Sequence, residues 1–233
     1  MHAEQIVGVV SILLLVLSAS MLILNFKEGR YSFAALAFYL IQIILINLFT
    51  LKVLQPGGRI TYYIGVLNNL LDAPLILIFL MYFAKTDKAI KLIKITIASF
   101  IAYQLLIWVA LGMNNQSLTL IIGPGLFIVT AFSCYFFVDL MRNSSFHKKD
   151  VGLGFIAGGL VFTYLCFLFI YVIFYIMKSP HIKDIYTIYH VTFIIWCLTL
   201  IIGISLLMGS KRSKSRITEP KSRKEDPNAF QYL

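Results

Sequence analysis

The sequence predicts an all-α integral membrane protein built as a single bundle of seven transmembrane helices. Of its 233 residues, 60% are hydrophobic and 13% are charged, whereas charged residues make up about a quarter of a soluble protein. Seven apolar segments reach the roughly 20 residues that a helix needs to cross a bilayer. Only short connections separate these segments, so successive helices are expected to be antiparallel neighbours in one bundle.

The seven predicted spans end where turn residues or charges interrupt the apolar runs. In chain order, the interruptions read "KEGR", "QPGGR", "KTDKAIK", "MNNQ", "RNSSFHKK" and "KSPHIKD". The resulting spans are approximately residues 5–25, 31–53, 61–84, 92–112, 117–140, 151–177 and 185–208. We expect the first span to be retained, because "MHAEQ" contains no Lys or Arg and the apolar run exceeds that of a signal peptide. Residues 1–208 therefore form the predicted bundle. Residues 209–233 form a basic tail that is expected to be disordered.

The distribution of Lys and Arg predicts an N-terminus outside and a C-terminus in the cytoplasm. Sixteen of these residues then lie on the cytoplasmic side, and only Lys52, Arg59, Lys178 and Lys183 lie outside. The net charge of +10 thus reflects topology, and no nucleic-acid partner is expected. Anionic lipid is the expected partner of the tail, at about 1 kcal/mol per basic residue near the surface, although stop-transfer charge alone also accounts for it. The compact loops indicate a bacterial inner membrane.

One carboxylate lies deep within a predicted span. The segment "LNNLLDAPL" places Asp72 near the bilayer midplane, about 16 Å into the third span at 1.5 Å per residue. A charge there costs about 2.5–3.5 kcal/mol, so Asp72 is expected to face the interior of the bundle and to be functional. Asn68 and Asn69 share its helical face, and Pro74 predicts a kink. A protonated carboxyl that only joins helices is the alternative.

Other polar residues of the spans collect in the outer half of the bilayer in this orientation. Asp72, Asn68 and Asn69 form what we call the Asp72 cluster. The other candidates for ligand or ion binding are Gln42, Gln104, Tyr164, Tyr171, Tyr189 and His190. In the fifth span, Gly123, Pro124 and Gly125 predict a bend. The inner halves contain mainly Leu, Ile, Val and Phe. This asymmetry predicts a polar outer cavity floored by Asp72, with His190 on the opposing wall as either a packing residue or a titrating partner.

The remaining motifs limit the chemistry that the chain can perform. Gly154 and Gly158 have GxxxG spacing, which predicts close helix contact within the bundle or between two copies of the chain. Of the four histidines only His190 lies in a span, whereas a catalytic zinc site needs three ligands, so no metal is expected. The Pro74-Leu75 pair resembles part of the third helix of the microbial rhodopsins. The seventh span has no lysine for a retinal Schiff base, so no cofactor is expected either.

Three functions are compatible with these residues. The first is a receptor or sensor whose outer cavity responds to a small molecule or to protons. Such a receptor is expected to signal through a separate cytoplasmic partner, because no signalling domain is recognisable in the sequence. The second is a secondary transporter or channel that uses Asp72 as a midplane ion or proton site. The third is a structural or assembly protein in which Asp72 is a helix-packing contact. An enzyme is disfavoured, because no GxSxG or HExxH motif is present.

Overall fold

In a computed structural model of the chain, the seven predicted spans are seven long apolar helices. The structure describes residues 3–25, 30–55, 57–143, 147–177 and 182–217, and within these residues it contains no strand. The helices are α1 (Ala3–Asn25), α2 (Arg30–Thr50), α3 (Gly58–Leu80), α4 (Asp87–Leu111), α5 (Asn115–Asn143), α6 (Lys148–Tyr171) and α7 (Ile182–Ile217). Each is long and apolar enough to cross a membrane, which confirms the predicted fold class of a multi-pass membrane protein.

The helices pack as a ring in chain order. Each helix contacts the next, α1 closes the ring against α7, and α3 also packs on α5. This leaves α4 at the periphery with α3 and α5 as its main neighbours, and Val109 on its outer surface is 86% exposed. The odd-numbered helices begin at the same end of the bundle. We call that end the N-terminal face and the opposite end the C-terminal face.

Capping residues, and not hydropathy alone, decide where the helices begin and end. The Oγ1 of Thr86 accepts a hydrogen bond of 3.2 Å from the Ala89 amide, so α4 begins before its predicted apolar run. At the start of α5, the Ser117 amide donates to Asn114 Oδ1 at 2.8 Å. Helix α4 ends at Leu111, and the Gly112 cap that follows has a φ of +73°, a conformation that glycine adopts without strain. Helix α7 continues into the predicted tail as far as Ile217, and residues 218–233 lie outside the described residues.

The contact between α6 and α7 depends on glycines that bring the two backbones together. A Cβ added to Gly203 would lie 2.7 Å from the carbonyl oxygen of Gly152, and one added to Gly152 would lie 2.8 Å from that of Gly203. Two turns further along α6, a Cβ on Gly159 would overlap Thr199. Only hydrogen atoms fit at these positions, so backbone and side-chain atoms of the two helices come into direct contact.

The two glycines with GxxxG spacing face a different neighbour. A Cβ on Gly154 would lie 3.0 Å from the terminal methyl of Met141, and one on Gly158 would lie 3.1 Å from the ring of Phe137. Both contacts are with side chains of α5. Gly154 and Gly158 therefore lie in the α5–α6 contact, whereas the closest approach of α6 to α7 occurs at Gly152 and Gly159.

Candidate functional site

Two tyrosines hold the Asp72 carboxyl in the middle of the bundle. The Tyr164 hydroxyl of α6 donates a 2.8 Å hydrogen bond to Asp72 Oδ1. The Tyr39 hydroxyl of α2 is in hydrogen-bonding contact with both Asp72 and Tyr164. Tyr39 and Tyr164 are 1% and 0% exposed, and the ring of Tyr39 rests edge-on against Trp196 of α7. The two phenols therefore supply hydrogen bonds to a carboxyl that is only partly exposed.

A cavity of about 280 Å³ extends from Asp72 toward the N-terminal face. Helices α2, α3, α5, α6 and α7 all contribute to its wall. Asn68 and Asn69 line it on the helical face that they share with Asp72, and Tyr171, Tyr175 and Tyr189 line it from α6 and α7. We call this the Asp72 cavity. Its wall combines one carboxyl, two amides and several aromatic rings, a composition typical of small-molecule sites.

Beyond Asp72 the bundle is closed by apolar packing. Ile76 and Leu77 lie one turn further along α3, and each is 0% exposed. Leu160 of α6 and Leu200 of α7 fill the same region and are also 0% exposed. These four close-packed aliphatic side chains offer no hydrogen-bonding group to an ion or water. The cavity therefore has its floor at Asp72.

A second cavity of about 230 Å³ adjoins the first and is lined by Asn47 and His190. Asn47 and His190 are 1% and 4% exposed, and Asn47 Nδ2 and His190 Nδ1 have no hydrogen-bond partner in the structure. Four side chains line both cavities, namely Ile46, Ile170, Tyr175 and Tyr189. We call this the Asn47 cavity. Buried polar atoms are nearly always hydrogen-bonded, so unpartnered ones that line a cavity indicate a site for water or a ligand.

The two prolines in α3 and α5 each open one helical turn, and α4 supplies a donor to both turns. Pro74 has no N–H, so the carbonyl of Leu70 loses its helical partner. The Gln104 side-chain amide donates to this carbonyl at 3.1 Å. Pro124 likewise frees the carbonyl of Leu120, which accepts a 3.0 Å hydrogen bond from the hydroxyl of Tyr103. The adjacent Tyr103 and Gln104 thus fasten α4 to the proline-opened turns of α5 and α3.

At Gly123 and Gly125, where the sequence predicts a bend, side chains of neighbouring helices come close to α5. A Cβ on Gly123 would lie 2.6 Å from the Tyr171 hydroxyl, and one on Gly125 would lie 2.9 Å from the ring of Phe100. The Tyr171 hydroxyl donates to the carbonyl of Thr119 at 3.0 Å. The glycines therefore seat Tyr171 at the wall of the Asp72 cavity, whereas Pro124 lies on the exposed side of α5.

The last turns of α6 change from α-helical to π-helical hydrogen bonding. Residues Val172–Ile176 form a π-helical segment, in which the Met177 amide donates to the carbonyl of Val172 at 2.9 Å. Tyr175 lies in this segment and lines both cavities. Short π-helical segments inside α-helices occur frequently at functional sites. Here the segment carries a ring to the boundary between the two cavities.

We expect replacement of Gln104 by Leu, or of Tyr103 by Phe, to loosen α4. Each change leaves one proline-freed carbonyl without its donor, which costs about 0.6 kcal/mol on average and at most about 2 kcal/mol in a membrane protein. Hydrogen exchange should quicken around residues 70 and 120, respectively, as measured by mass spectrometry in detergent micelles. Leu106→Ala is a control in the same helix, because Leu106 is 69% exposed. Unchanged exchange in both variants would show that the two hydrogen bonds do not hold α4.

The structure brings together most, but not all, of the residues that the sequence suggested for a site. Asp72, Asn68, Asn69, Tyr171 and Tyr189 line one cavity, His190 lines the next, and Tyr164 lies beneath as a donor to Asp72. Gln104 instead fastens α4. Gln42 is not among the residues that line either cavity, although its buried Oε1 has no hydrogen-bond partner among the described residues. His190 lines the Asn47 cavity, whereas the hydrogen-bonding contacts of Asp72 among the described residues are with Tyr164 and Tyr39.

Sequence reasoning missed Tyr39, Asn47 and Tyr175 as parts of the site. A signal for Tyr39 was present, because a tyrosine in the middle of a span must find a partner for its hydroxyl.

Within the part of the chain that the structure describes, no three His, Cys, Asp or Glu side chains are placed to hold a metal ion. Comparisons with protein-family models, with curated proteins and with solved structures gave no match to this chain.

Proposed function

We propose that the chain is a seven-helix membrane receptor or sensor whose Asp72 cavity binds a small molecule or responds to protons. With the N-terminal face outside, as the Lys and Arg distribution predicts, the cavity faces the extracytoplasmic side of a bacterial cytoplasmic membrane. The observation that carries the proposal is the blind shape of the cavity. Polar groups line it from Asn68 down to Asp72, and fully buried aliphatic side chains follow directly beneath.

A transporter is the second candidate, because Pro74 and Pro124 lie within helices that contribute to the cavity wall and each frees one backbone carbonyl. Transporters use the free backbone carbonyls of broken helices to coordinate ions. Here the freed carbonyl of Leu70 accepts a hydrogen bond from Gln104, and that of Leu120 accepts one from Tyr103. Both carbonyls are thus already engaged by protein donors. Carbonyls that already accept hydrogen bonds from the protein are not free to coordinate an ion, which favours a receptor over an ion-coupled transporter.

Helix α3 offers a route by which a change at Asp72 could reach the C-terminal face. Thirteen residues after Asp72, beyond a 3₁₀ turn at Met81–Phe83, Lys85 forms a 2.7 Å ion pair with Asp139 of α5. The basic side chains of this face, including Lys85 and Lys149, would then meet a separate partner. In this proposal α3 is the moving element that joins the cavity to the output surface.

The proposal is tested by asking from which side the cavity can be reached. We expect Asn69→Cys, in a chain whose three native cysteines are replaced by Ala, to react with a charged thiosulfonate reagent from the outside of oriented vesicles only. Leu77→Cys is the matched control on the same helix and should react from neither side, because Leu77 is 0% exposed.

Each of the other functions predicts a different labelling pattern. Reaction of Asn69→Cys from both sides would show alternating access and favour a transporter. No reaction from either side would show a sealed contact between helices and favour an assembly role. Reaction from the inside alone would overturn the predicted orientation.

A further inference from the structure

We infer that the two adjoining cavities form one elongated site for an organic monocation that carries a neutral hydrogen-bond acceptor at its other end. This inference rests on the proposed function and names the class of ligand. The positive group would lie at Asp72. The acceptor would lie at Asn47 and His190, and the middle of the molecule would pass between Tyr175 and Tyr189.

Charge decides which end of the ligand is positive. Among the described side chains that line the two cavities, Asp72 is the only acidic one, and no Lys or Arg lines either cavity. A carboxylate that keeps free lone pairs beside Tyr39 and Tyr164 can accept further hydrogen bonds from an ammonium group. A ligand carboxylate would meet no fixed positive charge among the described side chains of either cavity, and burying it there would be costly. The ligand is therefore expected to carry one positive charge and no negative charge.

Aromatic rings favour an organic cation over an inorganic one. Phe167 stacks on Tyr189 with 5.8 Å between ring centroids, and Phe193 packs edge-on against Tyr189 at 4.8 Å. Tyr171 and Tyr175 form a second pair at 5.5 Å. All five rings line the Asp72 cavity. Such faces attract ammonium groups through cation–π contacts, and they also bury apolar atoms, which a hydrated metal ion lacks.

Unpartnered groups define the far end of the site. Asn47 Nδ2, a donor, and His190 Nδ1 have no hydrogen-bond partner among the described residues, although both side chains are more than nine-tenths buried. Both line the Asn47 cavity, so a ligand carbonyl or ether oxygen there would satisfy Asn47 Nδ2. Imidazole can donate or accept through Nδ1 according to its tautomer. A buried Asn47 Nδ2 without a hydrogen-bond acceptor is unfavourable. The Asn47 cavity should therefore bind ligands that carry this oxygen more tightly than ligands that lack it.

Helix geometry gives the length of the ligand. Tyr39, which contacts Asp72, and Asn47 are eight residues apart on α2, which places them about 12 Å apart at 1.5 Å per residue. The two cavities measure about 280 and 230 Å³, and together they reach the size of pockets that enclose drug-sized ligands. A ligand with one aromatic ring between a short aminoalkyl chain and a carbonyl group fits this spacing.

The test uses three related probes and isothermal titration calorimetry on the full chain in nanodiscs. The first probe, 4′-(3-aminopropyl)acetophenone, has both polar ends. The second, 3-(4-ethylphenyl)propylamine, lacks the ketone, and the third, 4′-propylacetophenone, lacks the amine. We expect the first probe to bind at least about tenfold more tightly than either of the others, because a 1.4 kcal/mol difference in binding free energy corresponds to a factor of ten.

Two substitutions assign the ends of the probe. Asp72→Asn should weaken binding of both amines at least about tenfold, since a charge-assisted hydrogen bond is lost. Asn47→Leu should weaken binding of the aminoketone about three- to tenfold and leave the ethyl analogue unchanged. Gln42→Leu is the matched control, because Gln42 is another amide of α2 but is not among the residues that line the cavities. It should change neither affinity.

The outcomes separate this inference from the function on which it rests. If both amines bind equally tightly and their binding depends on Asp72, the assignment of the positive group to Asp72 is correct and the two-ended site is wrong. If no amine binds although Asn69→Cys is labelled from outside, the ligand class is wrong and the receptor proposal stands. If no probe binds and Asn69→Cys is not labelled, both are wrong. Equal weakening of aminoketone and ethyl analogue by Asn47→Leu would also overturn the assignment of Asn47.

Discussion

Replacing Gly203 by Ala should destabilise the bundle by about 1–3 kcal/mol, the usual range for overpacking a close contact. The new methyl group would lie 2.7 Å from the carbonyl oxygen of Gly152. A backbone atom cannot rotate away as a side chain can, so α6 and α7 would have to separate. Gly152→Ala should behave in the same way, because the contact is reciprocal. The free energy of unfolding can be measured by SDS titration in mixed micelles.

Two other glycines serve as controls for this experiment. Gly209 lies on the same helix, and a Cβ added there meets no atom within 4 Å. The new methyl group of Gly154→Ala would contact only the flexible end of the Met141 side chain. Both variants should unfold close to the native chain. If Gly203→Ala and Gly209→Ala were equally stable, the close contact of α6 with α7 would not exist in solution.

Removing the two tyrosine donors should strongly destabilise the Asp72 site, and removing the carboxyl as well should restore stability. In the Tyr39→Phe, Tyr164→Phe double variant, a half-buried carboxyl keeps no phenol donor. The loss of a donor to a fully buried group costs about 1–3 kcal/mol, which is the upper limit here. Adding Asp72→Leu replaces the remaining polar group with an apolar one of similar size. Most of the lost stability should return, because an apolar core needs no hydrogen bonds.

The same triple variant shows what the polar group is for. A stable triple variant that no longer binds an amine probe would show that the fold does not require Asp72 and that its carboxyl serves binding. A triple variant less stable than the double variant would show that Asp72 holds the helices together, as an assembly role requires. SDS titration and calorimetry on the same preparations give both quantities.

The sequence was sufficient to predict the seven spans and the Asp72 cluster. Hydropathy reports on the surroundings of a whole segment, so long apolar runs are recognised without knowledge of their neighbours. A carboxylate within such a run is also unmistakable. Helical periodicity then places Asn68 and Asn69 on its face, since residues three and four positions apart are neighbours on a helix. These inferences use only local information.

The features that the sequence did not predict depend on how the helices are rotated against one another. Tyr39 sits in an apolar run of α2, and its part in the site follows only from its contact with Asp72 of α3. Gln104 was expected to bind a ligand, yet its side-chain amide donates to the carbonyl that Pro74 frees on α3. Gly152 and Gly159 face α7 and Gly154 and Gly158 face α5, a difference that spacing within α6 alone does not reveal.

The π-helical segment at Val172–Ile176 gives the end of α6 the geometry of a one-residue insertion. Successive residues of an α-helix are about 100° apart around the axis. Deleting one residue that precedes Tyr175 in this segment would let the α-helical phase continue, and every residue after the deletion would turn by about that angle. Tyr171 precedes the segment and would keep its place, whereas Tyr175 would rotate out of the boundary between the two cavities. A single-residue deletion is thus a minimal change that could separate the two cavities while leaving the floor at Asp72 intact.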